Sequence, residues 1–241
     1  MNYPLFLFFG LAPSILWLLF YLRKDSHPEP RRLLGKIFLW GMLFTIPAIA
    51  VELFLRQLIF NIPVQETLQL ILYFFFGVAL VEEWLKYMVV RAFVFYKPQL
   101  NEAVDVMIYM MVSALGFAAL ENIFLLSGLG PFSPVSNIVA LSAVRLVGAT
   151  LLHALASGLF GYFIARAMLE PQKGLAYFTV GILASTSLHA VFNFAILELE
   201  GTARILLPLS LLAGLAVIVS FFFEKLKRLT FQRRWHPFSK S

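Results

Sequence analysis

Long apolar stretches, separated by short polar connectors, run along the whole chain. A helix needs roughly 20 predominantly apolar residues to cross a hydrocarbon core of about 30 Å. Seven stretches meet this length, at 3–22, 37–60, 68–90, 106–127, 137–166, 175–197 and 204–223. The fifth is long enough to tilt in the bilayer. The pattern predicts an all-α membrane protein, a polytopic bundle of about seven transmembrane helices in a single domain over residues 1–223.

The composition agrees with this pattern. Of 241 residues, 61% are hydrophobic and 13% are charged, whereas a soluble domain is about one quarter charged. So few charged side chains could not cover a water-soluble fold of this size. The net charge of +6 lies mainly in the connectors, so we expect no nucleic-acid partner. Cysteine is absent, which excludes disulfides, thiolate metal sites and a cysteine nucleophile.

Basic residues are concentrated in alternate connectors. The first, third and fifth connectors carry Arg23, Lys24, Arg31, Arg32, Lys36, Arg91, Lys97, Arg166 and Lys173, and the second and fourth carry none. Lysine and arginine in short loops mark the cytoplasmic side of a membrane protein. We therefore expect a multi-pass protein of the cell membrane with its N-terminus outside and a basic cytoplasmic tail at 224–241. That tail, with Arg233, Arg234 and Trp235, is read as a topology signal, with binding of anionic lipid as the alternative.

Ionisable and amide side chains interrupt four consecutive apolar stretches. They are Glu82, Glu83 and Lys86 in the third, Glu121 and Asn122 in the fourth, Arg145 and His153 in the fifth, and His189 and Asn193 in the sixth. A charged side chain near the centre of a membrane helix costs about 2.5–3.5 kcal/mol on insertion scales. These groups are therefore expected to converge on a shared, water-accessible interior.

The spacing within each helix indicates which groups cooperate. Glu82 and Glu83 lie four and three residues before Lys86, so both carboxylates share a helix face with the lysine. Such a group suits general acid–base chemistry, in which a carboxylate takes a proton from water. His189 and Asn193 also share a face, and an imidazole can donate to an oxyanion, bind a metal or shuttle protons.

Other ways of cutting a peptide bond in a membrane lack their residues. No histidine is followed by glutamate, so the His-Glu-x-x-His zinc motif is absent. The two aspartates, Asp25 and Asp105, lie at the ends of spans, and neither Ser113 nor Ser157 has a Gly-x-Ser-Gly context. Of these ways to hydrolyse a peptide bond, catalysis by a glutamate that activates water remains.

The ordered set of motifs resembles a known family. The motifs are Glu82-Glu83-Trp84-Leu85-Lys86, Phe117-Ala118-Ala119-Leu120-Glu121-Asn122, His153, His189-Ala190-Val191-Phe192-Asn193 and, in the first connector, Asp25-Ser26-His27-Pro28-Glu29-Pro30. Over roughly residues 20–200 the chain is similar to the PrsW family of polytopic intramembrane metalloproteases, whose named member starts the degradation of a membrane-bound anti-sigma factor. That family is similar to the glutamate-type CAAX prenyl proteases, which have a histidine where this chain has Glu121-Asn122.

The resemblance implies an intramembrane endopeptidase that acts on a membrane-embedded protein or peptide. We expect Glu82 as the general base, Glu83 as its partner carboxyl and His153 as a helper. His189 with Asn193 would stabilise the oxyanion. Lys86 would tune the carboxylates, and Glu121, Asn122 and Arg145 would support the site or bind substrate. Of Glu121 and Asn122, one is expected to face the site and the other a neighbouring helix.

A metal is implied by the family and by ligand type. Glu121, His153 and His189 suit zinc, although their sequence shows no local ligand spacing.

Two other functional interpretations stay open at this stage. A buried chain of Glu, His and Lys also fits a non-catalytic or proton-coupled carrier, and a family member without activity could bind other membrane proteins. Glu52 and Arg56 are read as a local structural ion pair. The small residues within 154–161 predict close helix packing.

Overall fold

The computed structural model of the chain describes residues 1–24 and 27–232, and every regular element in this part is helical. The helices are α1 (Tyr3–Leu22), α2 (Arg31–Phe60), α3 (Glu66–Leu72), α4 (Leu80–Phe93), α5 (Ala103–Ser127), α6 (Val135–Val147), α7 (Ala149–Leu169), α8 (Gly174–Glu198) and α9 (Ala203–Gln232). A π-helical segment, Tyr73–Ala79, joins α3 to α4, and a 3-10 turn, Pro171–Lys173, precedes α8.

Seven helical segments of the described chain are long and apolar enough to span a membrane, as the sequence predicted. The first, Tyr3–Leu22, has the predicted bounds. The second begins six residues earlier than predicted, at Arg31 directly after Pro30, and the last continues to Gln232. These helices continue beyond their apolar residues, because an α-helix forms its own backbone hydrogen bonds at the polar interface as well as in the hydrocarbon. The orientation of the termini remains a prediction, and Arg233, Arg234 and Trp235 lie outside the described residues.

The fifth predicted span is two helices, which corrects the single helix expected at 137–166. The break is at Gly148, where ψ is −109° between α6 and α7, far from the helical value near −42°. A Cβ atom added to Gly148 would lie 2.8 Å from the carbonyl oxygen of Val144. Hydropathy could not reveal the break because both helices are apolar. The break lies between Arg145 and His153, so these two residues are not carried by one continuous helix.

The third predicted span contains the π-helical segment Tyr73–Ala79. Such wide turns are rare and often lie beside functional sites. This segment ends three residues before Glu82, on the first turn of α4. It therefore contributes to the rotation at which α4 presents its glutamates.

The core of the bundle is built around α5. In an 18-residue apolar stretch of α5, 94% of the residues are buried inside the protein. Close packing against α7 depends on glycine, because a Cβ atom added to Gly161 would lie 2.8 Å from Cα of Met107, and one added to Gly158 would overlap Met111. The packing role predicted for the small residues of 154–161 is confirmed. This tight contact places the polar residues of α7 beside those of α4 and α5.

Candidate active site

The first two turns of α4 carry the charged centre of the protein. Lys86 Nζ lies 3.0 Å from Oε2 of Glu82 and 2.9 Å from Oε1 of Glu83. All three side chains are buried, with exposures of 3% or less. The helical spacing of the three residues places them on one face, as predicted. Two carboxylates share one ammonium group, so the centre carries an excess of negative charge that its neighbours must balance.

His189, from α8, contacts both glutamates through its two nitrogens. Nδ1 lies 3.1 Å from Oε1 of Glu83, and Nε2 lies 3.7 Å from Oε2 of Glu82. A carboxylate accepts hydrogen bonds, so the neutral ring carries its proton on Nδ1 and donates it to Glu83. The lone pair of Nε2 then faces Glu82.

His153, from α7, has the complementary arrangement. Its Nε2 lies 2.7 Å from Oε2 of Glu121. Its Nδ1 lies 2.7 Å from Lys86 Nζ and 3.6 Å from Oε2 of Glu82. The ammonium donates to Nδ1 and Nε2–H donates to Glu121. The two imidazole rings are 5.0 Å apart and nearly perpendicular, and Nδ1 of His153 and Nε2 of His189 lie 3.6 and 3.7 Å from the same oxygen, Oε2 of Glu82.

Glu121 and Asn122 point in different directions, as neighbours on a helix do. Oε2 of Glu121 also accepts from Arg145 Nη2 at 3.1 Å, while Arg145 Nε donates to Oδ1 of Asn122 at 2.5 Å. Asn122 in turn donates to Thr150 Oγ1 at 3.1 Å and to the carbonyl of Gly10 at 3.3 Å. Glu121 therefore faces the site and Asn122 faces its neighbours, which answers the question that the sequence left open. Arg145 therefore donates hydrogen bonds to both Glu121 and Asn122.

The site is buried except on the Glu121 side. The side chains of Glu121 and Arg145 are 26% and 17% exposed, against 3% for His153. The Glu121–Arg145 ion pair is therefore the most exposed contact of this network.

Two further residues contact the charged centre, and only their spacing along the helices pointed to them. Ser157 Oγ donates to Oε2 of Glu83 at 2.6 Å, and the ring of Phe117 lies 4.7 Å from Lys86 Nζ. Ser157 follows His153 by four residues, a spacing that places both on one face of α7. Phe117 precedes Glu121 by four residues on α5. Each residue could therefore be identified from the sequence, because it lies on the same helix face as a polar residue of the site.

Two predicted residues stand apart from this network. Asn193 is half-buried one turn after His189 and makes no side-chain hydrogen bond within the described chain, so its oxyanion role stays a prediction. Glu52 forms no ion pair with Arg56 among the residues described, contrary to expectation. Its half-buried carboxylate lies within electrostatic range of Glu82 and Glu121 instead. Glu52 therefore lies at the margin of the site. Its four-residue spacing to Arg56 had suggested only a local ion pair.

Three of these residues form a group with the donor set of a metal site. Glu82, His153 and His189 each offer one ligand atom within 4.8 Å of the other two, and all three are buried. One carboxylate and two imidazoles are ligands that zinc accepts, and both facing nitrogens carry lone pairs. The carboxylate is Glu82 where the sequence suggested Glu121. Glu121 instead accepts from the remote nitrogen of His153, the arrangement by which carboxylates orient metal-binding histidines.

Comparisons with known proteins point to one family and to relatives that share one name. The family described as PrsW family intramembrane metalloprotease matches residues 29–223. The chain is 30% identical to Protease PrsW of Geobacillus kaustophilus over 193 residues, 79% of each chain. It is 26% identical to Protease PrsW of Oceanobacillus iheyensis over 203 residues, 84% of this chain and 88% of the relative. Protease PrsW of Bacillus subtilis is 25% identical over 203 residues, 83% of this chain and 86% of the relative. No solved structure matches the chain.

Proposed function

Because this chain belongs to the PrsW family of intramembrane metalloproteases, we propose that it hydrolyses a peptide bond of a membrane-embedded protein or peptide at Glu82. The observation that carries this proposal is the convergence of His153 Nδ1 and His189 Nε2 on Oε2 of Glu82, at 3.6 and 3.7 Å. A water molecule that donates one O–H to this buried carboxylate and the other to Nε2 of His189 would have its oxygen oriented for attack on a carbonyl carbon.

In the proposed reaction Glu82 acts as the general base. Its carboxylate takes a proton from water as the water oxygen bonds to the scissile carbonyl carbon, which forms a tetrahedral intermediate. The same proton then passes to the leaving amine nitrogen as the carbon–nitrogen bond breaks. Lys86 balances the charge of Glu82 and Glu83 throughout, so that the site does not hold two uncompensated carboxylates in a low dielectric.

The hydrogen bonds of the histidines determine which groups can stabilise the oxyanion. His189 donates through Nδ1 to Glu83, so its Nε2 is an acceptor in the neutral ring. The donor proposed for the oxyanion is therefore the amide of Asn193, because the three N–H groups of Lys86 already donate to Glu82, Glu83 and His153. Glu83 and Glu121 act through the histidines, because each carboxylate accepts the N–H of one ring nitrogen and so fixes the tautomer and orientation of its histidine.

A zinc ion fits the donor set, and Oε2 of Glu82, His153 and His189 would hold it, which leaves the second carboxylate oxygen of Glu82 to take the proton from water. When bound, it would polarise the carbonyl and favour ionisation of water. Glu83 and Glu121 would then orient the two imidazole rings by accepting the N–H groups on their far sides. The Lys86 ammonium, 2.7 Å from His153 Nδ1, would have to turn away from that nitrogen.

Reconstitution in liposomes tests the proposal. The purified protein is mixed with single-span fusion proteins whose membrane and juxtamembrane sequences vary, and cleavage is measured by mass spectrometry. Glu82→Gln should lower the cleavage rate by roughly 10²–10⁴-fold, the usual contribution of general acid–base catalysis. Glu198→Gln removes an exposed carboxylate at the end of α8 and should leave the rate unchanged. Full cleavage by the Glu82→Gln variant would falsify the assignment of the base.

A further inference from the structure

A groove of about 660 Å³ lies between the end of α1 and the beginning of α2. Its walls are formed by Leu18, Leu19, Leu22, Leu34, Phe38 and Leu39, together with neighbouring apolar residues. None of the residues that line it belongs to the candidate active site. The groove follows two membrane-spanning helices, so its apolar walls lie alongside the hydrocarbon of the bilayer.

One end of the groove carries two guanidinium groups. Arg23 directly follows α1 and Arg31 begins α2, and both line the groove and are exposed. Neither guanidinium group makes a hydrogen bond, an ion pair or a ring contact with any residue in the described part of the chain. By contrast, the neighbouring Lys24 lies over the ring of Phe20. The one acidic residue of the lining, Glu29, is buried and accepts a hydrogen bond from Tyr109.

A glycine widens the wall on the α2 side. Gly35 lines the groove, and a Cβ atom built on it would meet nothing within 4 Å. Glycine in a helix interior is about 1 kcal/mol less favourable than alanine, and no turn or positive φ requires it here. The open space beside its backbone is continuous with the apolar walls. A long apolar chain can therefore pass along α2 at this point.

We propose that this groove binds one anionic phospholipid, with its phosphate at Arg23 and Arg31 and an acyl chain along the apolar walls. Arginine matches phosphate with paired hydrogen bonds, and basic residues next to a membrane helix attract anionic headgroups. A lipid with an anionic headgroup and apolar chains is complementary to the groove, which is cationic at one end and apolar along its length. A free phosphate ion would leave the apolar walls unused, and an apolar peptide helix would leave the two arginines without a partner.

Native mass spectrometry of the detergent-solubilised protein tests the headgroup half of the proposal. Phosphatidylglycerol and phosphatidylcholine with identical acyl chains are added in equal amounts, and bound lipid is counted. The wild type should retain phosphatidylglycerol preferentially. The double variant Arg23→Gln with Arg31→Gln should lose this preference by roughly 30-fold, from the attraction of about two basic residues. Arg32→Gln with Lys97→Gln removes the same charge from two exposed residues outside the groove and should keep the preference.

A second variant tests the acyl half without changing charge. Gly35→Leu places a side chain in the groove and keeps both arginines, so retention of phosphatidylglycerol should fall at least tenfold. Gly214→Leu is the matched control, because Gly214 is a helical glycine on α9 that also has nothing within 4 Å of a built Cβ. All four variants should unfold at temperatures close to that of the wild type.

Three outcomes overturn the proposal. If the Arg23/Arg31 and Arg32/Lys97 double variants lose the preference for phosphatidylglycerol equally, the result shows only the general attraction of basic loops for anionic lipid. Loss with the Arg23 and Arg31 changes but not with Gly35→Leu shows a simple anion site, and inorganic phosphate in excess should then displace the lipid. A wild type without preference for phosphatidylglycerol also contradicts it. Loss in the Arg23/Arg31 double variant and in Gly35→Leu, with neither control affected, supports it.

Discussion

Nε2 of His153 lies 2.7 Å from Oε2 of Glu121, a carboxylate carried on a different helix. The same oxygen accepts from Arg145 at 3.1 Å. The carboxylate therefore holds one imidazole nitrogen in its protonated form and leaves the other, Nδ1, to accept a hydrogen bond from Lys86 at 2.7 Å. Arg145 keeps Glu121 charged and in place, and this chain of contacts is the link between the exposed edge of the site and its buried centre.

Glu121→Ala should weaken the site without removing any proposed ligand. Loss of the carboxylate frees the tautomer of His153, and the loss of such supporting carboxylates typically costs 10–100-fold in metal affinity or activity. Zinc affinity by titration calorimetry and the cleavage rate measure the effect. Glu121→Gln should recover part of both, since its amide oxygen can still accept from Nε2–H. Glu66→Ala, at an exposed position of α3, is the control. Identical zinc affinity in Glu121→Ala and the wild type contradicts the positioning role.

Lys86→Met should destabilise the protein strongly. The substitution leaves Glu82 and Glu83 buried without their cation, and removal of one partner from a buried charge pair costs about 3–5 kcal/mol. Thermal unfolding in detergent measures the loss. Lys173→Met is the matched control, because Lys173 is 69% exposed and 3.4 Å from Glu170, where solvent screens the pair. Equal melting temperatures for Lys86→Met and the wild type would show that the buried carboxylates need no cation.

Ser157→Ala should reduce activity and stability together. Ser157 donates to Glu83 at 2.6 Å, and a hydrogen bond to a charged group contributes about 1.5–3 kcal/mol. Without it, Glu83 holds His189 less firmly. Ser127→Ala removes an exposed serine that bonds its own helix backbone and should change neither quantity. Cleavage rates and unfolding temperatures of the two variants are compared, and no difference between them counts against a role for Ser157.

Gly148→Ala should disturb the site through the backbone. The added Cβ would lie 2.8 Å from the Val144 carbonyl oxygen, and such overpacking typically costs about 1–3 kcal/mol. Movement of α6 against α7 would also pull Arg145 away from Glu121, so the cleavage rate should fall. Gly214→Ala, with open space at its Cβ, should be neutral or slightly stabilising. An active, fully stable Gly148→Ala variant would show that the break tolerates a side chain.

Within single helices, the amino-acid sequence determined much of this protein. Apolar length gave the seven spans, because hydrocarbon thickness determines how many residues a helix needs to cross it. The three- and four-residue spacings placed Glu82 and Glu83 beside Lys86, because a helix fixes the angle between its own residues. The small residues of α7 predicted the close packing now seen against α5.

Relations between helices were decided only by the tertiary structure. Spacing along one helix does not determine how that helix is rotated against its neighbours, so the sequence could not show that Glu121 faces His153 while Asn122 faces α1 and α7. It also could not show that Glu82 joins the two histidines. The break at Gly148 was hidden because apolar residues continue on both sides of it. Packing around α5 determined these relations, since the contacts that orient each helix come from residues distant in the chain.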